Sequence, residues 1–218
     1  MAPSSILPVF RNGLFAAMAC AAISGSALAG PAEIIDGLRK GGYTLFFRHA
    51  QADWRAAPGA QTLPPAPAPA ACAGERQLSD EGRADARALG VAVKSLNLTI
   101  SEIAAAGLCR MQETAKIAFG APKTVHDLAP RPGMALSLTA QAAAVERLAR
   151  APLPEHGIRI IVGDYEVAQA LYGVTLAEGD AVVLKTGADG KAEAVARLRL
   201  GDWRALAPVA AKRAPGGA

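Results

Sequence analysis

The stretch Tyr43–Asp53, YTLFFRHAQAD, joins what reads as a buried strand to a histidine. Tyr43-Thr44-Leu45-Phe46-Phe47 is a short run of aromatic, β-branched and aliphatic residues entered through Gly41-Gly42. Such a run is expected of a central strand covered on both faces. It ends in Arg48-His49, so a cation and an imidazole stand together at the strand's carboxyl edge. In open α/β sheets that edge is where ligands bind.

The pair suits phosphoryl chemistry. A neutral imidazole nitrogen can attack phosphorus to form a phosphohistidine, and a guanidinium holds phosphoryl oxygens in its planar fork. Taken alone, Arg-His is also compatible with a solvated pair after a strand. The remainder of the chain discriminates.

Working outward, Pro31–Lys40 reads as a short helix with Ile34, Ile35 and Leu38 on its apolar face, stopped by Gly41-Gly42. Downstream of His49, the segment 56–74 holds five prolines among alanines and shows no periodicity. It is expected to be a Pro/Ala-rich loop, either a rim over the site or a passive insertion. Structure resumes with Ser79 as the N-cap of a helix running to about Leu96, with Leu89, Val93 and Leu96 as its buried face. Gly82 and Gly90 within it point to close helix–sheet packing.

Glu102–Ala106 is expected to be a second strand, delivering Arg110 to the start of a helix over Met111–Phe119, where free amides attract anions. Thr124–Leu128 is a third strand candidate, Ser137–Arg150 a helix, Ile158–Val162 a strong strand and Tyr165–Leu171 a short helix. Ala181–Lys185 and Ala194–Leu200 flank Gly187-Ala188-Asp189-Gly190 as an antiparallel hairpin. Residues 208–218 read as a disordered tail. The alternation predicts an α/β fold, a three-layer sandwich with a mostly parallel central sheet and an antiparallel C-terminal hairpin.

Composition bounds the function. At 218 residues, 51% hydrophobic and 19% charged, the chain has enough apolar material for one full core over residues 30–207. A net charge of +4 without a basic stripe argues against nucleic acid. Residues 1–29 read as a signal peptide: Arg11, the apolar run Gly13–Ile23, then Ala27-Leu28-Ala29 as a cleavage site. The apolar run is too short to span a bilayer, so no membrane span is expected after its removal, and the mature chain is expected to be periplasmic or secreted. Removing Cys20 leaves Cys72 and Cys109, an even number in an oxidising compartment, which predicts a disulfide. No metal-ligand cluster and no dinucleotide-binding glycine pattern is evident, so neither a metal nor a cofactor is expected.

Together the blocks LFFRHAQAD at 45–53, QLSDEGRADARALG at 77–90, CRMQETAKIAFG at 109–120, IIVGDYEVAQALYGVTLAEGDAVVL at 160–184 and RLRLGDWRAL at 197–206 resemble the histidine phosphatase superfamily, with its phosphoglycerate mutase-like fold. The resemblance spans Gly37 to about Leu206. It implies a phosphomonoester hydrolase acting on a small phosphorylated or anionic ligand, with His49 as phosphate-accepting nucleophile and Arg48 and Arg110 as phosphate-binding residues. Glu113, at the family's R-x-x-E-T position, would orient an arginine, and Asp127 is a candidate general acid. The placement of Cys72 and Cys109 also looks like that of a periplasmic branch.

Two departures stand out. Where the family carries a second histidine after the late strand, this chain reads Val162-Gly163-Asp164; where it has a serine before the cysteine-arginine pair, this chain has Ala106. An aspartate near two arginines stays ionised and accepts where a donor is wanted. The alternative is therefore a non-catalytic descendant that binds an anion or a partner. His126 and His156 are the other imidazoles, both expected in loops.

Overall fold

The computed structural model describes residues 28, 30–53, 72, 75–129 and 136–213. Its centre is a six-stranded sheet. Across the sheet lie β5 (Lys123–Thr124), β4 (Thr99–Ala105), β6 (Gly157–Gly163), β1 (Tyr43–Arg48), β7 (Ala181–Thr186) and β8 (Ala192–Leu198), in that order. The strands from β5 to β1 are parallel, and the β7–β8 hairpin adds an antiparallel edge beside β1. The expected fold class is thus the observed one. A two-stranded ribbon of β2 (Ala52–Asp53) and β3 (Gln77–Leu78) lies apart from the sheet.

The helices are α1 (Pro31–Lys40), α2 (Asp80–Ser95), α3 (Cys109–Ala118), α4 (Leu138–Arg150), α5 (Tyr165–Tyr172) and α6 (Leu200–Arg213). α2 packs against α3 and α6, and α4 against α5, giving the two helical layers. Leu45, Phe46 and Phe47 are buried, as is every residue of β6, because strands between two helical layers meet no water on either face. Phe47 packs against Phe119 and Trp203, with ring centroids 4.9 and 5.7 Å away, so one side of β1 is sealed by α3's end and α6.

Arg159, in the middle of β6, is 1% exposed. Its Nε donates to Glu102 at 2.6 Å and its Nη2 to the Pro152 carbonyl at 3.3 Å, while Nη1 donates to the carbonyls of Leu148 and Ala151. It thereby closes the carboxyl end of α4, where the last carbonyls have no helical partner.

Several boundaries differ from expectation. α3 begins at Cys109, so Arg110 lies in its first turn. Of the third strand candidate Thr124–Leu128 only Thr124 lies in β5, together with Lys123, and His126–Leu128 forms a 3-10 turn. An edge strand needs a partner as well as β-propensity, and β4 offers only Ala104 and Ala105 there. α6 spans Leu200–Arg213, where the sequence reading placed no helix and assigned residues 208–213 to the tail.

Gly82 has a different neighbour from the one expected: a side chain there would meet the backbone of Gln51, just after His49, at 2.1 Å. The disulfide Cys72–Cys109 is formed, with 5.9 Å between Cα atoms. Residues 1–27 and 29 of the expected signal, 56–71, 73 and 74 of the Pro/Ala-rich segment, and 214–218 of the tail lie outside the described residues. No helix among the described residues is long and apolar enough to cross a membrane.

Candidate active site

Register explains why residues far apart in sequence meet. Arg48 closes β1 opposite Gly163, the last residue of β6, so His49 and Asp164 emerge side by side. Ala105 closes β4 opposite Val162, and the chain then turns into α3 carrying Arg110. Three neighbouring parallel strands thus deliver His49, Asp164 and Arg110 to one edge.

His49 is fully buried. Its Nδ1 lies 2.7 Å from the carbonyl oxygen of Ala50, which can only accept, so Nδ1 carries the proton and Nε2 keeps its lone pair. Nε2 has no hydrogen-bond partner among the described residues and stands 3.8 Å from Asp164 Oδ1. Burial lowers the His49 pKa to about 4; the Ala50 hydrogen bond and Asp164 oppose the shift, while Arg110 and Arg48 add to it. At neutral pH the ring is therefore uncharged, with the lone pair on Nε2.

Both arginines flank it. Arg48 donates from Nη1 to the Leu176 carbonyl at 3.0 Å, lies 4.8 Å from the Tyr165 ring centroid, and has its Nε 3.8 Å from Asp164 Oδ1. Arg110 donates from Nη2 to Asp164 Oδ2 at 2.9 Å. Each guanidinium has a buried Nε without a hydrogen-bond partner among the described residues.

Asp164 points into this group, and it also N-caps α5 by accepting from the Tyr165 amide at 3.0 Å. Burial works against its ionisation. The Arg110 hydrogen bond, the neighbouring His49, the Tyr165 amide and the Arg110 charge together outweigh burial and hold its pKa below the usual carboxylate value. A carboxylate therefore sits where two guanidinium groups converge.

The remaining sequence candidates fall elsewhere or act at one remove. Glu113 does orient an arginine, Arg83, accepting from its Nε at 2.7 Å. Asp127 lies in the exposed 3-10 turn, with its carboxylate 3.5 Å from Arg147. His126 is exposed beside Gly107, and His156 is exposed in the turn before β6. The anion attraction expected at the start of α3 is already spent. Glu75 accepts from the Cys109 amide at 2.7 Å, and the amides of Met111 and Gln112 bond Leu108.

Sequence reasoning missed two supports. Thr114, 1% exposed, accepts from the Ala50 amide at 3.0 Å and donates to the Arg110 carbonyl at 2.7 Å, fixing the nucleophile's loop against the arginine's helix. Its signal was present, because it completes the R-x-x-E-T run. Gln112 donates to the carbonyls of Ala105 and Ala106, at 3.1 and 2.7 Å, at the end of β4.

No protein-family model matches the chain and no curated protein matches it in sequence. Among solved structures it is similar to the protein histidine phosphatase SixA complexed with tungstate, at 13% identity and TM-score 0.50, covering 73% of this chain and 98% of that one. It is also similar to the product of open reading frame Rv3214 from Mycobacterium tuberculosis, at 15% identity and TM-score 0.52, covering 73% and 99%. At these identities the likeness is one of fold, and that fold is the phosphoglycerate mutase-like fold expected from the sequence blocks.

Proposed function

We propose that this chain is a histidine-phosphatase-type phosphomonoester hydrolase of the periplasm or cell exterior, with His49 as the phosphate acceptor. The observation that carries the reading is His49 itself: Nδ1–H held by the Ala50 carbonyl, and a buried Nε2 lone pair between two arginines. Nε2 attacks phosphorus, the bond to the ester oxygen breaks, and that oxygen leaves with a proton. Water then attacks the phosphohistidine, releasing inorganic phosphate and restoring the imidazole. Arg48 and Arg110 offset the charge on the phosphoryl oxygens in both steps. Asp127, exposed beside Arg147, gains no support as the proton source from that position.

Asp164 is the brake in this proposal. Its carboxylate holds Arg110, so a phosphoryl group must displace it, and the donor that would stabilise the transition state is missing. Losing one such donor costs on the order of 10²–10³ in rate. Export is supported by the pattern of residues 1–29 and by the disulfide, a bond that persists in oxidising compartments.

The same contact favours a second reading, a non-catalytic anion-binding protein. Turnover of p-nitrophenyl phosphate by the mature protein, run beside His49→Ala, separates the two. A wild-type rate well above the variant, with an acid-labile phosphoenzyme, supports hydrolysis; equal rates end it, and calorimetric binding of inorganic phosphate then supports the second reading.

A further inference from the structure

A cavity of about 450 Å³ shares Arg110 and Asp164 with the candidate site. Leu108, Ala129, Leu136 and Leu138 are its apolar lining, and Arg76, Gln141 and Glu166 join Arg110 and Asp164 as its polar lining; burial lowers the Arg76 pKa, with nearby Arg110 adding to the shift. Leu138, the first residue of α4, keeps 41% of its surface exposed, while most large apolar side chains among the described residues are buried. The Nε2 of Gln141, a buried polar residue lining the cavity, donates to the Leu136 carbonyl at 3.2 Å.

This is the size of a small-molecule pocket, with an apolar set of residues beside several polar and charged groups that can orient a ligand. A phosphoryl group held between Arg48 and Arg110 has this cavity next to it. We infer that the cavity is the leaving-group subsite, and that the ligand is a phosphomonoester of an apolar alcohol or phenol rather than of a sugar. A polyhydroxylated group would lose its hydration against Leu108, Leu136 and Leu138, whereas an aryl or alkyl body laid on those residues gains by leaving water. The inference rests on the anion-binding reading above and adds what that reading leaves open, the class of the esterified group.

Non-hydrolysable phosphonates test it independently of turnover. Inorganic phosphate, methylphosphonate and 1-naphthylphosphonate are titrated by calorimetry into the mature protein and into Asp164→Asn, in which the internal carboxylate no longer competes. The naphthyl compound is expected to bind about tenfold or more tightly than the methyl compound, from the apolar area it buries. Leu138→Glu should bring the two within about twofold of each other. If phosphate and methylphosphonate bind and the naphthyl group adds nothing, the subsite is wrong and the anion site stands. If none of the three binds either protein, the anion site itself is wrong and the subsite falls with it.

Discussion

Arg159 and the pair Arg48–Arg110 are guanidinium groups on or beside neighbouring strands, all substantially buried, yet they are equipped differently. Every nitrogen of Arg159 has an acceptor: a carboxylate and three backbone carbonyls at the end of α4. Arg48 and Arg110 each keep a buried Nε without a hydrogen-bond partner among the described residues; both neighbour the Asp164 carboxylate, and Arg48 also stands 3.9 Å from Glu178. A buried donor left unmade costs stability, and such exceptions call for an explanation. The difference separates an arginine whose donors are all taken up by the fold from two whose donors are not, as the proposed anion-binding role would need.

The largest effect that sharpens this contrast is on folding. Arg159→Met strands Glu102 and three carbonyls, so a loss of about 3–5 kcal/mol is expected in urea denaturation. Asp164→Asn, on the site side, should change stability far less while tightening phosphate binding. Equal destabilisation by the two would erase the distinction. Next comes the disulfide, which ties the first residue of α3 to Cys72 across a sequence separation of 37. Replacing both cysteines by alanine should cost about 3–4 kcal/mol on the chain-entropy argument, read as a lowered midpoint that added reductant no longer shifts.

Restoring a donor at the site is the third. Asp164→His is expected to raise phosphatase turnover by roughly 10²–10³; an unchanged rate would show that the aspartate is not what limits the site. The smallest effect is the response to pH. Unfolded histidine binds its proton near 6.5, whereas folded His49 does so only at about 4. Between those values the unfolded state holds more protons, so stability is constant above pH 6.5 and falls with acid through the window, by roughly 3 kcal/mol. Asp164, with its pKa held below the carboxylate norm, adds loss in the same direction at lower pH. A His49→Phe variant should lose the slope between pH 6.5 and 4. In the wild type, the acid limb of the rate profile should lie near 4 rather than 6.5.

Much of this was legible in sequence because it is local. The apolar run of β1, the Ser79 cap accepting from the Gly82 amide and the heptad-like face of α2 each depend on residues a few positions apart. The Cys72–Cys109 bond followed from parity and compartment. The errors have the same root: the third strand candidate and the tail were read on propensity, and sheet edge and helix context overrode it.

Sequence by itself determined the sheet's central strand, the alternation of its main strands and helices, though not the β2–β3 ribbon or α6, and the placing of His49, Arg110 and Asp164 each just after a parallel strand. Only the tertiary structure decided which charges meet. Asp164 bonds Arg110, Glu113 turns to Arg83, Glu75 takes the α3 amide, and Thr114 braces Ala50 against Arg110. The physical reason is range. Periodicity and capping act within a turn or two of chain, whereas a contact between residues 54 positions apart, as in Arg110 and Asp164, depends on the register of β4 against β6.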